Sequence, residues 1–177
     1  MIFTPLALEG AYLIEPERHA DERGFFARAF CSEDFEARGL ADRFVQTSLS
    51  FNARRGVLRG LHYQSAPHAE TKLIRCTMGA AFDVVLDLRP GSPSFRQWAG
   101  LELSAENRRM IYAPEGVAHG FLTLEDRTEL EYQITPAYQP ASASGVRWND
   151  PAFAIDWPDT PELIISERDA AWPLVET

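Results

Sequence analysis

Hydrophobic and polar side chains alternate along most of this chain in short segments. Alternation with a period of two is the pattern of β-strands that bury one face, and 11 Gly and 12 Pro residues separate the segments. The predicted strands are Ala11–Ile14, Phe25–Phe30, Arg43–Phe51, Val57–Gln64, Lys72–Met78, Ala81–Arg89, Gln97–Ser104, Arg109–Ala113, His119–Leu124 and Thr128–Ile134. Ten short strands at this spacing predict an all-β sandwich or jelly-roll barrel.

Helix signals occur in only two stretches, and both are short. The first covers Glu33–Arg38, where Ser32 can cap the start, acidic residues follow it, and Gly39 can end the helix. A second helical turn is predicted to begin at Ser166. Both helices are expected at the periphery of the barrel.

Two of the predicted strands indicate which face is polar. In the segment 82–89, apolar residues alternate with polar ones that include Asp83 and Asp87, so one face is predicted to meet the core and the other a polar space. In the segment 128–134, the same alternation turns Tyr132 inward. An inward tyrosine hydroxyl needs a hydrogen-bond partner or a chemical role.

The composition is that of one globular domain spanning residues 1–177. The chain is 45% hydrophobic and 24% charged, and it contains no repeat or linker. Its Trp- and Pro-rich segment 148–173 is expected to wrap the barrel. The formal net charge of −9, with no basic block, argues against binding to nucleic acid or to an anionic membrane.

The sequence also predicts a cytoplasmic location. No apolar run approaches the roughly 18 residues that span a bilayer, and the start Met1–Pro5 lacks the basic and apolar stretches of a secretion signal. Cys31 and Cys76 form no CxxC pair, so neither a disulfide framework nor a cysteine zinc site is indicated. Cys76 lies in an alternating segment and is expected to serve packing.

Ionisable side chains are concentrated on strands that otherwise have the pattern of core. Arg59 and His62 share one predicted strand, and Lys72 and His119 lie on two others. Charges in such places are costly unless they are paired or functional. Strict alternation would put Arg59 and His62 on opposite faces, but Gly60 between them allows a bulge that turns both toward one cavity.

Several motifs, in order and spacing, resemble those of known proteins. The segment Pro114-x-Gly116-x-x-His119-x-Phe121 resembles the second motif of the cupin superfamily. The wider set resembles the dTDP-4-dehydrorhamnose 3,5-epimerase family over about residues 2–173. Its members are Asp21-Glu22-Arg23-Gly24-Phe25-Phe26, Arg59-Gly60-Leu61-His62-Tyr63-Gln64, Lys72-Leu73, Asp87-Leu88-Arg89, Ser92-Pro93, Ala118-His119-Gly120-Phe121, Trp148-Asn149-Asp150-Pro151 and Asp156-Trp157-Pro158.

The resemblance implies a cupin-like jelly-roll barrel that forms a homodimer and uses neither metal nor another cofactor. The implied reaction is epimerisation at C3 and C5 of a nucleotide-linked 4-keto-6-deoxyhexose in rhamnose-type deoxysugar biosynthesis. By the resemblance, His62 is the base that removes each hydrogen α to the ketone, and Asp169 orients it. Lys72 faces the enolate oxygen, and Tyr132 is the acid on the other side of the sugar.

The same resemblance implies a substrate-binding set. Arg23 and Arg59 would hold the diphosphate, His119 would contact the sugar, and Tyr138 would stack on the nucleobase. Positions Arg28, Gln46, Ser48 and Arg168 complete this set.

Three departures from the family pattern cluster at the implied nucleoside end. Arg28 and Ala143 each stand where the family usually has glutamate, and Gln46-Thr47-Ser48 replaces a Gln-Asp-Asn triplet. Each lost carboxylate removes an acceptor for the thymine N3–H. The resemblance makes dTDP the default nucleotide, but these losses weaken the case for thymine, and the preference among dTDP, CDP, UDP and GDP stays open at this point.

Other functions remain open from the sequence alone. A 3-only epimerase or a ketoisomerase acting on a different nucleotide sugar could use the same scaffold. A metal-dependent cupin could be built on His62, Glu70 and His119, although the first cupin motif normally has His-x-His and here reads His62-Tyr63-Gln64. A sugar-nucleotide-binding protein without catalysis is the last alternative.

Overall fold

The computed structural model describes residues 1–175, which form fourteen strands, two short helices and one 3₁₀ turn. The strands are β1 (Ile2–Pro5), β2 (Tyr12–Glu15), β3 (Arg18–Asp21), β4 (Gly24–Ala27), β5 (Gln46–Asn52), β6 (Val57–Gln64), β7 (Thr71–Met78), β8 (Ala80–Asp87), β9 (Trp98–Ser104), β10 (Met110–Ala113), β11 (Val117–Thr123), β12 (Thr128–Thr135), β13 (Ala143–Gly145) and β14 (Ile164–Ile165). The helices are α1 (Ser32–Glu36) and α2 (Glu167–Ala170), and the 3₁₀ turn is Pro140–Ser142.

Two sheets face each other and enclose the core, as the all-β, cupin-like jelly-roll prediction requires. The first sheet has the order β1-β2-β10-β7-β12-β5, and the second has β13-β6-β11-β8-β9, with β14 added beside β6. Apolar side chains from both sheets meet between them, among them Ile74, Val85, Ile111, Phe121 and Leu130. Each such side chain is buried and contributes about 1.5–3 kcal/mol to folding.

Two further clusters cover the outer faces. Residues from the tail, including Phe153 and Trp157, pack over Val84 and Leu86 of β8, so the expectation that segment 148–173 wraps the barrel is confirmed. On the other sheet, Phe35 of α1 is fully buried against strand residues of that outer face. Neither helix within residues 1–175 is long and apolar enough to cross a membrane.

The predicted elements agree with the structure best where burial enforces alternation. The prediction Val57–Gln64 matches β6 at both ends. The predicted strand Phe25–Phe30 ends at Ala27 instead, because the chain turns so that Phe30 packs against Phe35. β1, β3, β13 and β14 were not predicted: β3 is exposed throughout, and the others are edge or very short strands with no clear alternation.

The helix predictions were partly right. The second helix begins after Ser166, whose hydroxyl accepts a hydrogen bond from the Asp169 backbone N–H at 3.1 Å, as a capping residue does. In the first helix, Ser32 is already helical and Cys31 is the N-cap, without a side-chain bond. Gly39 adopts the left-handed conformation (φ +67°) just beyond this helix.

Asp87 is the centre of a buried hydrogen-bond network at the end of β8. Its carboxylate accepts bonds from Arg89 and, at 2.6 Å each, from the Ser92 and Ser94 hydroxyls. Burial alone would raise the pKa of Asp87, but these bonds outweigh burial and hold the pKa well below its usual range. The network fixes the loop that follows β8.

Replacing Asp87 with alanine is expected to lower the free energy of unfolding by about 3 kcal/mol, because the Arg89 charge loses its partner. Urea unfolding at neutral pH measures the change. Glu162→Ala is the matched control, since the Arg54–Glu162 pair is 3.4 Å apart and mostly exposed, and exposed pairs contribute under about 1 kcal/mol. Equal effects of the two variants would show that the Asp87 network does not stabilise the loop.

Candidate functional site

His62 and Asp169 meet at one side of the barrel, although they are far apart in sequence. His62 lies on β6 and Asp169 on α2, and His62 Nε2 is 2.6 Å from Asp169 Oδ1. The other oxygen, Oδ2, accepts a 3.3 Å hydrogen bond from the Gly60 backbone N–H. The Asp169 side chain is only 8% exposed, whereas 42% of the His62 side chain is accessible. The carboxylate is therefore held in the protein while the imidazole faces a cavity.

The surroundings of His62 favour the neutral imidazole. Burial lowers the pKa of His62, and the nearby Lys72 and His119 lower it further. Asp169 opposes this shift, because a carboxylate favours the imidazolium. A neutral imidazole at pH 7 that donates its Nε2–H to Asp169 keeps the Nδ1 lone pair available as a base.

Lys72 is a buried ammonium beside His62. Its Nζ lies 2.5 Å from Glu70 Oε1 and donates to the His62 backbone carbonyl at 3.2 Å. Burial lowers the pKa of Lys72, and the Glu70 carboxylate opposes that shift. Glu70 thus supports a positive charge in a place where it would otherwise be costly.

His119, Asp83 and Tyr132 form a second cluster further inside the barrel. His119 Nε2 lies 2.8 Å from Asp83 Oδ2, and both side chains are almost fully buried. The Tyr132 ring meets the His119 ring edge to face, with centroids 5.5 Å apart. Burial, and then the Asp83 charge, raise the pKa of Tyr132 well above its usual value. The phenol is therefore protonated and can only give a proton to a strong base such as an enolate.

A bulge brings the two clusters together. His62 is paired with His119 in the β6–β11 ladder, and the register shifts between His119 and Phe121. Gly60 sits at this shift with φ +136°, and a Cβ there would lie 2.5 Å from the Gly120 Cα. Only glycine fits this close approach. The sequence prediction of a bulge at Gly60 is confirmed.

Three of the predicted site residues line one cavity of about 120 Å³. These are His62, Tyr138 and Arg168, with Glu70 and Ala143 also in the wall. A neighbouring cavity of about 320 Å³ is lined by Arg59 and Asp169 among others. The Arg59 Nε donates to Asn52 Oδ1 at 2.9 Å, which aims the guanidinium. The predicted residues on β6, α2 and the Tyr138 loop therefore lie around adjoining cavities.

Gln46 belongs with the Tyr138 side of the site. Its Oε1 accepts a 2.5 Å hydrogen bond from the Tyr138 backbone N–H. Ser48 lies on the same edge strand, β5, is exposed, and pairs with Tyr132 in the β5–β12 ladder. β5 thus runs along the border of the site.

Arg23 and Arg28 are not brought to His62 within one chain. Arg23 lies at the tip of the β3–β4 hairpin, where its side chain is 84% exposed and pairs with Asp21. Arg28 lines a separate cavity with Glu17 and His19. Within one chain the hairpin therefore carries both arginines to a different part of the surface from His62, and their role in substrate binding stays a prediction.

Sequence reasoning missed two groups of the site. The sequence placed Asp83 only on the polar face of a strand, and it offered Glu70 only as a possible ligand in the alternative of a metal-dependent cupin. The structure pairs Asp83 with His119 and Glu70 with Lys72.

Within residues 1–175, no three His, Cys, Asp or Glu side chains are grouped so that they could hold a metal ion. Cys76 is buried in the core, with its pKa raised to about 11 by burial, as a packing cysteine should be.

Comparison with known proteins agrees with the sequence motifs. A sequence profile of the dTDP-4-dehydrorhamnose 3,5-epimerase family matches residues 5–177. A dTDP-4-dehydrorhamnose 3,5-epimerase from Methanothermobacter thermautotrophicus is 47% identical over 98% of this chain and 95% of its own length.

Solved structures of such enzymes have the same fold. The dTDP-4-dehydrorhamnose 3,5-epimerase of Elizabethkingia anophelis aligns with a TM-score of 0.95 at 39% identity, covering 98% of this chain and 96% of its own. A Legionella pneumophila 3,5-epimerase in complex with dTDP-4-keto-L-rhamnose aligns with a TM-score of 0.91 at 41% identity, covering 98% and 92% of the two chains.

Proposed function

The chain belongs to the dTDP-4-dehydrorhamnose 3,5-epimerase family, and we propose that it inverts C3 and C5 of a dTDP-linked 4-keto-6-deoxyhexose in rhamnose-type deoxysugar biosynthesis. The observation that carries this proposal is the pairing of two groups of opposite roles. His62, whose pKa is lowered, lies 2.6 Å from Asp169. Its partner in the β6–β11 ladder, His119, packs against Tyr132, a phenol whose pKa is raised well above its usual value. A base and an acid of this kind are what epimerisation next to a ketone requires.

The first half of the reaction belongs to His62. Each target hydrogen is α to the C4 ketone, so its removal leaves an enolate with negative charge on the C4 oxygen. His62 Nδ1 takes the proton, while Asp169 holds the ring in the productive tautomer and stabilises the imidazolium that forms. Lys72 provides a fixed positive charge for the enolate oxygen.

The second half returns a proton to the opposite face of the carbon. Tyr132 is proposed as that acid, because its hydroxyl is buried and protonated in the barrel interior. His119, held by Asp83, packs against the Tyr132 ring and contacts the sugar. Arg59 and Arg23 bind the diphosphate, Tyr138 stacks on the base, and Arg28, Gln46, Ser48 and Arg168 line the remaining substrate surface.

Proton NMR in D₂O tests this function directly. With dTDP-4-keto-6-deoxyglucose as substrate, deuterium is expected to enter at C3 and at C5. Entry at C3 alone would identify a 3-only epimerase, and hydride movement between C3 and C4 a ketoisomerase. A protein that only binds the nucleotide sugar exchanges neither position.

We further propose a homodimer in which each subunit contributes to the other's site. Exposed apolar side chains lie on both edge strands of the first sheet, with Ile2 on β1 and Leu49 on β5, and on the hairpin at Phe26. Such residues favour contact with a second copy. A partner's hairpin is also the means by which Arg23 and Arg28 could reach His62. The predicted strand Ala11–Ile14 cannot add to a partner's sheet, because β2 is already paired on both sides, with β1 and β10.

Mixing two inactive variants tests the shared site. Arg23→Ala and His62→Asn are each expected to lose activity, and refolded together they should regain about a quarter of the wild-type rate, since mixed dimers have one complete site. Sedimentation at micromolar concentration should show a dimer. A monomer, or a mixture with no regained activity, would refute the shared site.

The alanine at position 143 leads to a prediction about which nucleotide the site prefers. It lines the His62 cavity together with Tyr138, and it offers no acceptor to the N3–H of thymine or uracil. We therefore expect free dTDP to bind less than tenfold more tightly than CDP, a difference below about 1.4 kcal/mol, with UDP and GDP measured alongside in calorimetry. Ala143→Glu should raise the preference for dTDP and UDP over CDP. A preference above tenfold in the wild type would show that position 143 does not select the base.

We propose a cytoplasmic location for this enzyme. Its proposed substrate is a nucleotide sugar, and Cys31 and Cys76 are both unpaired in the structure, which is the usual state in a reducing compartment.

A further inference from the structure

The carboxylate that contacts His62 is carried by a segment with little support of its own. α2 has only four residues, and the strand before it, β14, has two residues paired to β6. An isolated helix of this length is unstable in water. Something outside α2 must therefore fix the position of Asp169.

Trp172 supplies a rigid contact three residues after Asp169. Its indole ring lies directly on Gly145: a Cβ at Gly145 would sit 2.4 Å from the Trp172 Cε2 atom and 2.6 Å from Nε1. Gly145 belongs to β13 and is the residue that pairs with His62 in the β13–β6 ladder. The ring is therefore seated next to the strand position that carries the proposed base.

Backbone contacts hold the same segment on either side of the indole. The Arg147 Nε donates to the Trp172 carbonyl at 2.6 Å, and the Val175 N–H donates to Asp150 Oδ2, also at 2.6 Å. The Arg168 guanidinium lies 5.5 Å from the centre of the Trp172 ring. Trp172 Nε1 is buried and has no hydrogen-bond partner among the described residues. The indole is thus held by packing against Gly145 and beside the Arg168 guanidinium, and not by a hydrogen bond from its Nε1–H to any described residue.

We infer that Trp172 is a positioning residue for this enzyme: its seat on Gly145 fixes α2 so that Asp169 meets His62 at hydrogen-bond distance. The inference rests on the roles proposed above for His62 and Asp169. Trp172 does not touch the reacting atoms and acts only through Asp169. Once the ring is removed, α2 is free to move, and a displacement of about 1 Å is enough to break a hydrogen bond of this length.

The His62 ring itself provides a readout that a purely structural role would not change. The charged and titratable groups around it are Asp169 of α2, Lys72 of β7, His119 of β11 and, in the same cavity wall, Tyr63, Glu70, Tyr138 and Arg168. Asp169 alone among the groups that act on its pKa raises it. Loss of the Asp169 contact therefore moves the pKa of His62 to a lower value, and the acid limb of kcat/KM moves to lower pH with it.

The experiment compares Trp172→Ala, Trp172→Phe and Leu174→Ala. Trp172→Ala is expected to lower kcat by about 10–100-fold, by analogy with the loss of residues that orient metal-ligating histidines, with a smaller change in KM. NMR titration of the free protein should show a lower His62 pKa. Trp172→Phe keeps a flat ring and loses no hydrogen bond, so it should retain kcat within about threefold of the wild type. Leu174 is exposed in the same segment, and Leu174→Ala should change neither quantity.

A double-mutant cycle tests whether the effect passes through Asp169. In an Asp169→Ala background, Trp172→Ala should cause little further loss, because the hydrogen bond to His62 that Trp172 maintains is already absent. Additive losses would overturn the inference, as would a Trp172→Ala variant with wild-type kcat and an unchanged His62 pKa. If Trp172→Ala does not fold, Trp172→Leu keeps an apolar, though smaller, side chain without the flat face and is expected to give the same shifts.

The two proposals fail differently. If the wild type exchanges no deuterium, the proposed reaction is wrong, yet the His62 titration in the free protein still tests Trp172. If the wild type exchanges at C3 and C5 and Trp172→Ala does the same with an unaltered His62 pKa, only the positioning role is wrong.

Discussion

Replacing His62 with asparagine or alanine is expected to abolish deuterium exchange at both C3 and C5. One base on one face of the sugar serves both carbons in the proposed mechanism, and no other neutral base lies at hydrogen-bond distance from Asp169 among the described residues. The loss of a general base typically costs about 10²–10⁴ in rate. The rates are measured by NMR of the substrate in D₂O, separately at each carbon.

His68→Asn is the matched control for the His62 variants. His68 is an exposed histidine whose Nδ1 lies 3.0 Å from the Ser142 hydroxyl, and the proposed reaction does not use it. It should retain wild-type exchange. If His62→Asn keeps more than about a tenth of the wild-type rate, the base is another residue and the assignment is wrong.

The pH profile gives a second check on the same base. Because burial lowers the pKa of His62, the imidazole stays neutral below its usual value of about 6.5. The ratio kcat/KM should therefore be flat near pH 7 and fall only as the pH drops through this lowered pKa. A fall that begins above pH 7 would show that His62 is not the titrating group.

Tyr132→Phe is expected to separate the two halves of the reaction. The variant keeps the ring that packs against His119 and removes only the hydroxyl that returns the proton. Deuterium wash-in by His62 should survive, while inversion at C5 falls by about 10²-fold or more, the typical contribution of a general acid. Both quantities come from the same D₂O spectra.

Tyr12→Phe is the control for this variant, because Tyr12 packs in the cluster around Phe35, away from His62. It should leave exchange and inversion unchanged. Equal loss of wash-in and inversion in Tyr132→Phe would instead indicate that the hydroxyl supports the structure of the site.

The sequence was sufficient to predict features that depend on a single strand. Alternation along β6 and β12 predicted the strands and turned Tyr132 inward, since the period of a strand is local and burial of one face enforces it. Gly60 predicted the bulge because a residue without a Cβ is needed where two backbones come this close. The motif around His62 identified the family for the same reason, as its residues are contiguous in the chain.

The sequence was not sufficient where partners come from distant segments. Ser166 predicted the short helix α2. Nothing in the neighbouring sequence indicated that the Trp172 ring after this helix would pack on Gly145 of β13. Asp83 could be recognised as polar, yet its pairing with His119 depends on β8 lying beside β11.

The sequence by itself determined the fold class, the family and the chemical types of the proposed catalytic groups, because these follow from periodicity and contiguous motifs. Only the tertiary structure decided which groups meet. It placed Asp169 against His62 across more than a hundred residues, put β2 between β1 and β10 in the first sheet, and kept Arg23 and Arg28 away from His62 within one chain. The physical reason is that pKa values, ion pairs and shared cavities depend on distances of a few ångströms, and those distances are set by how the sheets and the tail pack.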